Sequence, residues 1–160
     1  MTVAENPAST GKRGDMTEKR VRRQWPFYWI SQVNGHYVRV LESRLKPIGL
    51  DMPRWRVLMS LYEDNHLSVS EIADLAVLKL NTATKIIQRM AADGLVETRV
   101  RQADQRATEV ALTIQGENAR QLAVQEADKI LAASFINMSP EEVASLNKIL
   151  EKVFLHLKEI

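Results

Sequence analysis

The fold is decided by residues 78–116, LKLNTATKIIQRMAADGLVETRVRQADQRATEVALTIQG. Apolar residues recur in its first part at i, i+3, i+4 and i+7, which places them on one face of a helix: Ala83, Ile86, Ile87 and Met90. Gly94 follows at a position that favours a left-handed backbone and therefore ends the helix. Residues 96–101 and 108–112 then alternate in polarity. The stretch predicts a helix, a glycine stop and a β-hairpin.

The opposite face of this helix is polar and contains no acidic residue: Asn81, Thr82, Thr84, Lys85, Gln88 and Arg89. Such side chains can donate hydrogen bonds to base edges or phosphates. The hairpin that follows has a charged, polar tip. A helix of this kind followed by a basic hairpin indicates a winged helix that binds DNA.

Another short helix is predicted just before the polar helix in the chain. Ser68 and Glu71 form a capping-box pattern, which predicts a helix start. The buried side of this helix is expected to consist of four residues: Ile72, Ala73, Leu75 and Ala76. A turn around residues 77–80 then leads into the polar helix. Two short helices with a tight connection predict a helix-turn-helix, in which the second helix is the recognition helix.

Longer helices are predicted on both sides of this unit. The first covers residues 24–46 and begins with a cluster of aromatic residues: Trp25, Phe27, Tyr28 and Trp29. Asp51 is expected to cap the next helix, Thr113 to cap a helix over residues 114–136, and Ser139 to cap the last one. The last helix carries an apolar stripe almost to the chain end. Aromatic residues on several sides of one helix start indicate a subunit interface, and so does an apolar stripe on a terminal helix that has no further partner in the sequence.

The fold class is therefore mainly α with a small β-hairpin wing. We expect a flexible basic tail over residues 1–23, an N-terminal dimerisation helix over 24–50, a winged helix-turn-helix DNA-binding domain over 51–113, and C-terminal dimerisation helices over 114–160. There is no cysteine, and the N-terminus lacks the apolar segment of a secretory signal. These features favour a cytoplasmic protein with no membrane segment, no disulfide and no cofactor.

Charge is distributed unevenly along the chain, although the formal net charge is only +2. Residues 79–106 contain six basic and three acidic side chains, whereas residues 114–160 contain five basic and seven acidic ones. A positive field over the helix and wing suits DNA. A local excess of this size is also compatible with an ordinary solvated surface.

These residues, in this order, resemble the MarR family of transcription regulators over roughly residues 27–158. The most specific segments are Asp104-Gln105-Arg106 in the wing and Leu112-Thr113-Ile114-Gln115-Gly116 after it, which fit the family pattern Asp-x-Arg, five residues, Leu-Thr-x-x-Gly. Residues 45–50, 55–58 and 90–96 match in register. The resemblance implies a homodimer whose terminal helices interlock and whose two lobes bind double-stranded DNA at a palindrome.

The resemblance further implies a repressor that a small aromatic effector, a carboxylate or a phenol, releases from DNA. An operon for aromatic-compound catabolism or efflux is the corresponding expectation for the regulated genes.

The resemblance assigns the polar residues of the recognition helix to the major groove. Gln88 and Asn81 have the chemistry for bidentate contacts to adenine, and Arg89 or Lys85 for guanine or phosphate. Thr82 and Thr84 suit phosphates, although Thr82 could instead cap the helix.

In the wing, Arg106 is expected to enter the minor groove, with Asp104 as its support. Arg99 and Arg101 lie on the polar side of their strand and suit phosphates, and Gln105 completes the predicted DNA-binding set. Family wings often carry two adjacent arginines, whereas this chain has Arg106-Ala107. Either one positive group is missing from this wing, or Arg101 replaces it.

The resemblance places an effector site between the first two helices. The matching positions and nearby charged groups are Ser31, Asn34, Gly35, His36, Arg39, Arg54, Trp55 and Met59. Some relatives that bind aromatic acids have an arginine near position 34, where this chain has Asn34. Arg39, Arg54 or His36 could supply the charge instead, or neutral hydrogen bonds could hold the effector. Trp55 and Met59 fit plain core better than a ligand contact.

Two other classes of protein compete with this interpretation. An enzyme is disfavoured because the three histidines are isolated and no cysteine, P-loop, GxGxxG or GxSxG is present, and the same histidine spacing argues against a metal site. A winged-helix protein–protein adaptor without small-molecule control predicts an acidic or apolar recognition face. The polar, basic face of residues 81–89 favours DNA.

Overall fold

The computed structural model describes residues 22–102 and 107–160. Its helices are α1 (Pro26–Leu45), α2 (Met52–Ser60), α3 (Val69–Leu75), α4 (Leu80–Ala92), α5 (Ile114–Ser134) and α6 (Pro140–Leu157), and its strands are β1 (Leu67–Ser68), β2 (Val96–Val100) and β3 (Thr108–Leu112). A 3-10 turn over Lys46–Ile48 follows α1. The mainly helical fold class is confirmed.

The sheet has three antiparallel strands in the order β1-β3-β2, rather than only the two that the sequence predicts. The hairpin aligns Val96 with Leu112 and Val100 with Thr108. The additional strand is only two residues long and pairs Leu67 with Val110. A two-residue strand is too short to show an alternating pattern in the sequence, so it is recognised only by its pairing with β3.

The chain divides into two compact units, Met1–Arg39 and Val40–Ile160. The core of the second unit is built from aliphatic side chains of its helices and sheet, and the largest fully buried ones are Leu41, Leu45, Leu58, Leu61, Ile72, Met90, Val57 and Val110. Helix α4 packs against this core through its own buried residues, Ala83, Ile87 and Met90.

The predicted caps are confirmed. Asp51 accepts a hydrogen bond from the Arg54 amide, and Thr113 accepts one from the Gly116 amide. Ser139 forms a complete capping box with Glu142, as Ser68 does with Glu71. Each cap satisfies backbone N–H groups that have no partner within the helix, so the helix starts are fixed locally.

Burial corrects three details of the sequence prediction. The pattern predicts Leu75 on the buried side of α3, but this residue is 62% exposed. In β2 only Val96 is buried, and in β3 the consecutive residues Glu109, Val110 and Ala111 are buried. The alternation predicted from the sequence is therefore wrong for most of β2. Only the base of the short hairpin is covered by other residues. The alternation of polar and apolar residues therefore does not predict which strand residues are buried.

Large apolar side chains are exposed on both terminal helices. In the first unit they are Phe27, Trp29, Ile30, Val33 and Tyr37, with Trp25 just before α1, and on α6 they are Ile149, Leu150, Phe154, Leu155 and Leu157. Helix α6 has no buried residue. None of the helices in the described parts of the chain combines the length and apolar character needed to cross a membrane.

Candidate nucleic-acid interface

Helix α4 presents a polar face to solvent. Asn81, Thr82, Lys85, Gln88 and Arg89 are exposed, and this helix contains no acidic residue. Thr84 is half-buried, and its Oγ1 donates to the Leu80 carbonyl at 2.9 Å. The residue that caps the helix is Lys79, without a side-chain hydrogen bond, so Thr82 is not the cap.

The C-terminal end of α4 is fixed by a left-handed glycine and by α2. Gly94 has φ +75°, as the glycine stop predicts, and the Leu95 amide donates back to the Met90 carbonyl at 2.9 Å. Arg54 Nη2 donates to the Asp93 carboxylate, and Asp93 is the C-cap residue of α4. Helix α4 is thus held by its buried face and by its C-terminal end, which fixes the position of its polar face.

The segment Leu112–Gly116 locks the wing to α4. Thr113 Oγ1 donates to the Gly94 carbonyl at 2.6 Å and accepts from the Gly116 amide at 3.0 Å. A Cβ on Gly116 would lie 1.8 Å from the Leu95 carbonyl oxygen, so only glycine allows this approach. The Leu-Thr-x-x-Gly pattern therefore has a direct structural role: it joins the end of the hairpin to the end of α4.

The two arginines at the end of β2 differ in their surroundings. Arg99 Nε donates to Glu109 Oε2 at 2.9 Å, and its side chain is 64% exposed. Arg101 Nη2 donates to Glu71 Oε2 at 3.0 Å, and its side chain is 30% exposed. His66 Nδ1 lies 3.8 Å from Glu109 Oε1. Both arginines are paired with carboxylates of the same domain, which the sequence prediction of two phosphate contacts does not include.

The three carboxylates that organise this interface, Glu71, Glu109 and Asp93, are not among the predicted site residues. Glu71 is visible in the sequence as the second half of a capping box. The position of Glu109 opposite Arg99 follows from the hairpin register, which pairs the two residues directly. Asp93 lies 39 residues from Arg54, and no local pattern connects them.

The wing tip is outside the described residues. This applies to Asp104, Gln105 and Arg106, so their predicted roles in DNA binding and wing support stay predictions.

The residues predicted for the effector site belong to both compact units. In the first, Ser31, Asn34, Gly35, His36 and Arg39 are exposed. Arg39 Nη2 lies 3.1 Å from His36 Nδ1, so these two groups are close enough to act together.

The second unit holds the other three positions. Trp55 is buried in the core. Met59 is 36% exposed and is therefore not plain core. Arg54 is already bonded to Asp93 and lies 3.9 Å from Asp51 Oδ2. Its charge is engaged within the fold.

Hydrogen bonds shift the pKa of several carboxyl groups. The backbone and hydroxyl of Ser68 lower the pKa of Glu71, and Arg101 lowers it further. Arg120 lowers the pKa of Glu117, and Glu117 in turn raises the pKa of Arg120. Arg120 also lies over the Tyr62 ring, 4.5 Å from its centre. These groups stay ionised near neutral pH, which keeps the ion pairs around the wing base and α5 intact.

A supported polar helix, a left-handed stop and a hairpin locked to it define a winged helix-turn-helix fold. The family model described as MarR family matches residues 50–108. The chain is 38% identical to the HTH-type transcriptional repressor IacR of Pseudomonas putida, covering 99% of this chain and 96% of that one. This chain therefore belongs to the MarR family of transcriptional regulators, and it is not an enzyme.

Solved structures show the same fold. A MarR-family regulator from Silicibacter pomeroyi has a TM-score of 0.78 at 23% identity, over 84% of this chain and 91% of that one. A mutant of Escherichia coli MarR, complexed with operator DNA, has a TM-score of 0.69 at 25% identity, over 78% of this chain and 90% of that one.

Proposed function

We propose that this chain is a homodimeric repressor that binds a pseudo-palindromic operator and leaves it when a small aromatic carboxylate or phenol binds. The observation that carries the DNA-binding part is the exposed face of α4, with Asn81, Lys85, Gln88 and Arg89 in solvent and Ala83, Ile87 and Met90 in the core. Exposed amide and cationic side chains on a rigid helix can hydrogen-bond to base edges and phosphates.

The relatives support the same conclusion. The Pseudomonas putida protein is named as a repressor, and it is similar along its whole length. The Escherichia coli protein has been crystallised with operator DNA. We extend repression and operator binding to this chain because the polar face of α4 supplies the chemistry that such binding needs.

Two-fold assembly is supported by the terminal helices. Phe154, Leu155 and Leu157 on α6 are each more than half exposed, although they are apolar. Burying such a stripe against a second copy would remove about 25 cal/mol of unfavourable hydration per Å². A dimer would also place two α4 helices in successive major grooves, about one helical turn of DNA apart.

An aromatic effector is supported by the aromatic side chains around the start of α1 and by the neighbouring His36 and Arg39, which could bind a carboxylate or a phenolic oxygen. Control of a catabolic or efflux operon for aromatic compounds follows from such an effector.

DNA binding is tested by fluorescence anisotropy with the upstream region of the protein's own gene. We expect binding that weakens steeply as salt increases, because phosphate contacts release counterions. Gln88→Ala should lose about 10-fold in affinity for the operator but little for unrelated DNA. Gln125→Ala, an exposed glutamine on α5, is the matched control and should bind as wild type. Salt-insensitive or absent binding would favour the adaptor alternative instead.

The dimer and the effector need separate measurements. Light scattering after gel filtration should give twice the mass of the 18.2 kDa chain, and Phe154→Asp should shift it towards the monomer. A thermal-shift screen of benzoates, hydroxybenzoates and cinnamates should find stabilising compounds, since a ligand of the native state raises the melting temperature. A compound that stabilises the protein should also lower its affinity for the operator; stabilisation without release would contradict the effector role.

A further inference from the structure

One carboxylate oxygen connects the helix-turn-helix to the base of the wing. Glu71 Oε2 accepts a hydrogen bond from the Ser68 amide at 2.6 Å, which closes the capping box of α3. The same oxygen accepts from Arg101 Nη2 at 3.0 Å. Arg101 also reaches the His66 carbonyl, 3.5 Å from its Nη2. The guanidinium therefore joins β2 to the loop and helix start that precede the recognition helix.

The place of Arg101 in the hairpin makes this connection consequential. It is the first residue after β2, and its amide donates to the Ala107 carbonyl at 2.9 Å, which is the last described backbone pair before the tip. On the other side, Ser68 belongs to β1 and pairs with Glu109 of β3. The direction in which the wing leaves the domain is thus set at Arg101, and Glu71 holds Arg101 to α3.

Arg99 provides the contrast. It lies two residues earlier on the same strand, and 64% of its side chain is exposed, against 30% for Arg101. Arg99 is bonded through Nε to Glu109, and its Nη2 lies 3.4 Å from His66 Nδ1. Its high exposure nevertheless leaves the guanidinium accessible to a phosphate. Arg101 is bonded through Nη2 to Glu71 and is the less exposed of the two, so less of its guanidinium is available to a phosphate.

We infer that Arg101 is a positioning residue of the DNA interface, tied through Glu71 to the helix-turn-helix, and that Arg99 is the strand arginine that binds phosphate. The inference rests on the proposed DNA-binding function and divides the roles of two residues that sequence alone treats as equivalent. Loss of the tether loosens the wing relative to α4 without removing a phosphate contact.

The salt dependence of operator affinity separates the two roles. Removing one phosphate contact lowers the slope of log K against log salt by about 0.9. We expect Arg99→Ala to lower it by about this amount, and Arg101→Ala to weaken binding about 5-fold with the slope unchanged. Melting temperatures of the two variants show whether both are folded under the conditions of the binding measurement. Equal losses of slope in the two variants would overturn the inference.

The tether itself is tested by Glu71→Gln, because glutamine can still complete the capping box but carries no charge for Arg101. We expect about 3- to 5-fold weaker operator binding, the same effect as in Arg101→Ala, and no further loss in the double variant. Tighter binding in Glu71→Gln, whatever residue stands at position 101, would mean that Glu71 only repels DNA, and it would contradict the tether.

Hydrogen exchange tests the tether without DNA. The Arg101 amide should exchange about 3- to 5-fold faster in Glu71→Gln than in wild type, while the Leu95 amide at the far end of the hairpin should not change. Unchanged exchange at Arg101 would overturn the tether alone. Failure of the wild type to bind any DNA would instead overturn the proposed function, whatever the exchange shows.

Discussion

The Arg54 guanidinium, in the first turn of α2, donates a hydrogen bond to the carboxylate of Asp93, the residue that caps the C-terminus of α4. The backbone amide of Arg54 at the same time donates to Asp51 Oδ1 at 2.9 Å. One residue thus fixes the start of α2 and the end of the recognition helix. The Arg54 side chain is 26% exposed and that of Asp93 is 50% exposed, so solvent screens this pair in part.

Removal of either partner should therefore destabilise the fold. We expect Arg54→Ala and Asp93→Ala each to lower the free energy of unfolding by about 1 kcal/mol, which corresponds to about 3 °C in melting temperature. The double variant should be no less stable than the worse single one, because both changes break the same contact. Arg44→Ala is the control and should cost less, because Arg44 is 57% exposed and lies 3.6 Å from Glu126. Additive losses in the Arg54 and Asp93 variants would show that the two residues act independently.

Val77, in the turn between α3 and α4, is in a conformation that suits its side chain poorly. Its φ is +54°, and it is the only described residue other than glycine with a positive φ. A left-handed conformation costs an L-residue about 1–2 kcal/mol, and β-branched residues are among the least suited to it. The side chain is 83% exposed, so it recovers little by burial.

Val77→Asn should consequently stabilise the protein by about 1 kcal/mol, since asparagine tolerates this region. Equilibrium urea unfolding measures the gain. Val100→Asn is the matched control, because Val100 is an exposed valine in β2, where asparagine is disfavoured, and it should lose stability. A loss of stability in Val77→Asn would mean that the valine makes a contact that offsets its backbone cost.

Two glycines should respond oppositely to alanine. A Cβ at Gly116 would overlap the Leu95 carbonyl, whereas a Cβ at Gly35 within α1 would meet nothing within 4 Å. Gly116→Ala should cost about 3 kcal/mol, because α5 would have to move away from the hairpin base. Gly35→Ala should gain up to about 1 kcal/mol from helix propensity. Thermal unfolding of the two variants measures both changes in stability, and equal effects would contradict the close approach at Gly116.

Acid should weaken the fold through Glu117. Arg120 lowers the pKa of this carboxyl below its ordinary value. The unfolded chain therefore binds more protons in acid than the native one, so the stability that Glu117 contributes is present above its unfolded pKa and lost as pH falls through its folded pKa. The free energy of unfolding should decline between about pH 5 and about pH 3, and less steeply in Glu117→Gln. Urea unfolding at successive pH values measures both slopes, and parallel curves would exclude this contribution.

The order of the helices, their caps and the glycine stop are predictable from sequence because each depends on residues within about four positions. Ser68 with Glu71 and Ser139 with Glu142 are local pairs, and both capping boxes are present. Gly94 has the left-handed backbone that its place after the helix requires. The polar face of α4 is likewise a property of one helix, so the candidate DNA-binding residues on it follow from the sequence alone.

What only the tertiary structure decided are the contacts between distant segments. The third strand, the exposure of Leu75 and the close approach at Gly116 all depend on which elements pack together. Likewise, the sequence presents Arg54, Arg99 and Arg101 simply as basic groups. The fold pairs the first with Asp93, the second with Glu109 and the third with Glu71, partners that lie 39, 10 and 30 positions away. Local patterns determine where a charge lies on its own helix or strand, but its role depends on the partner that the packed chain brings to it.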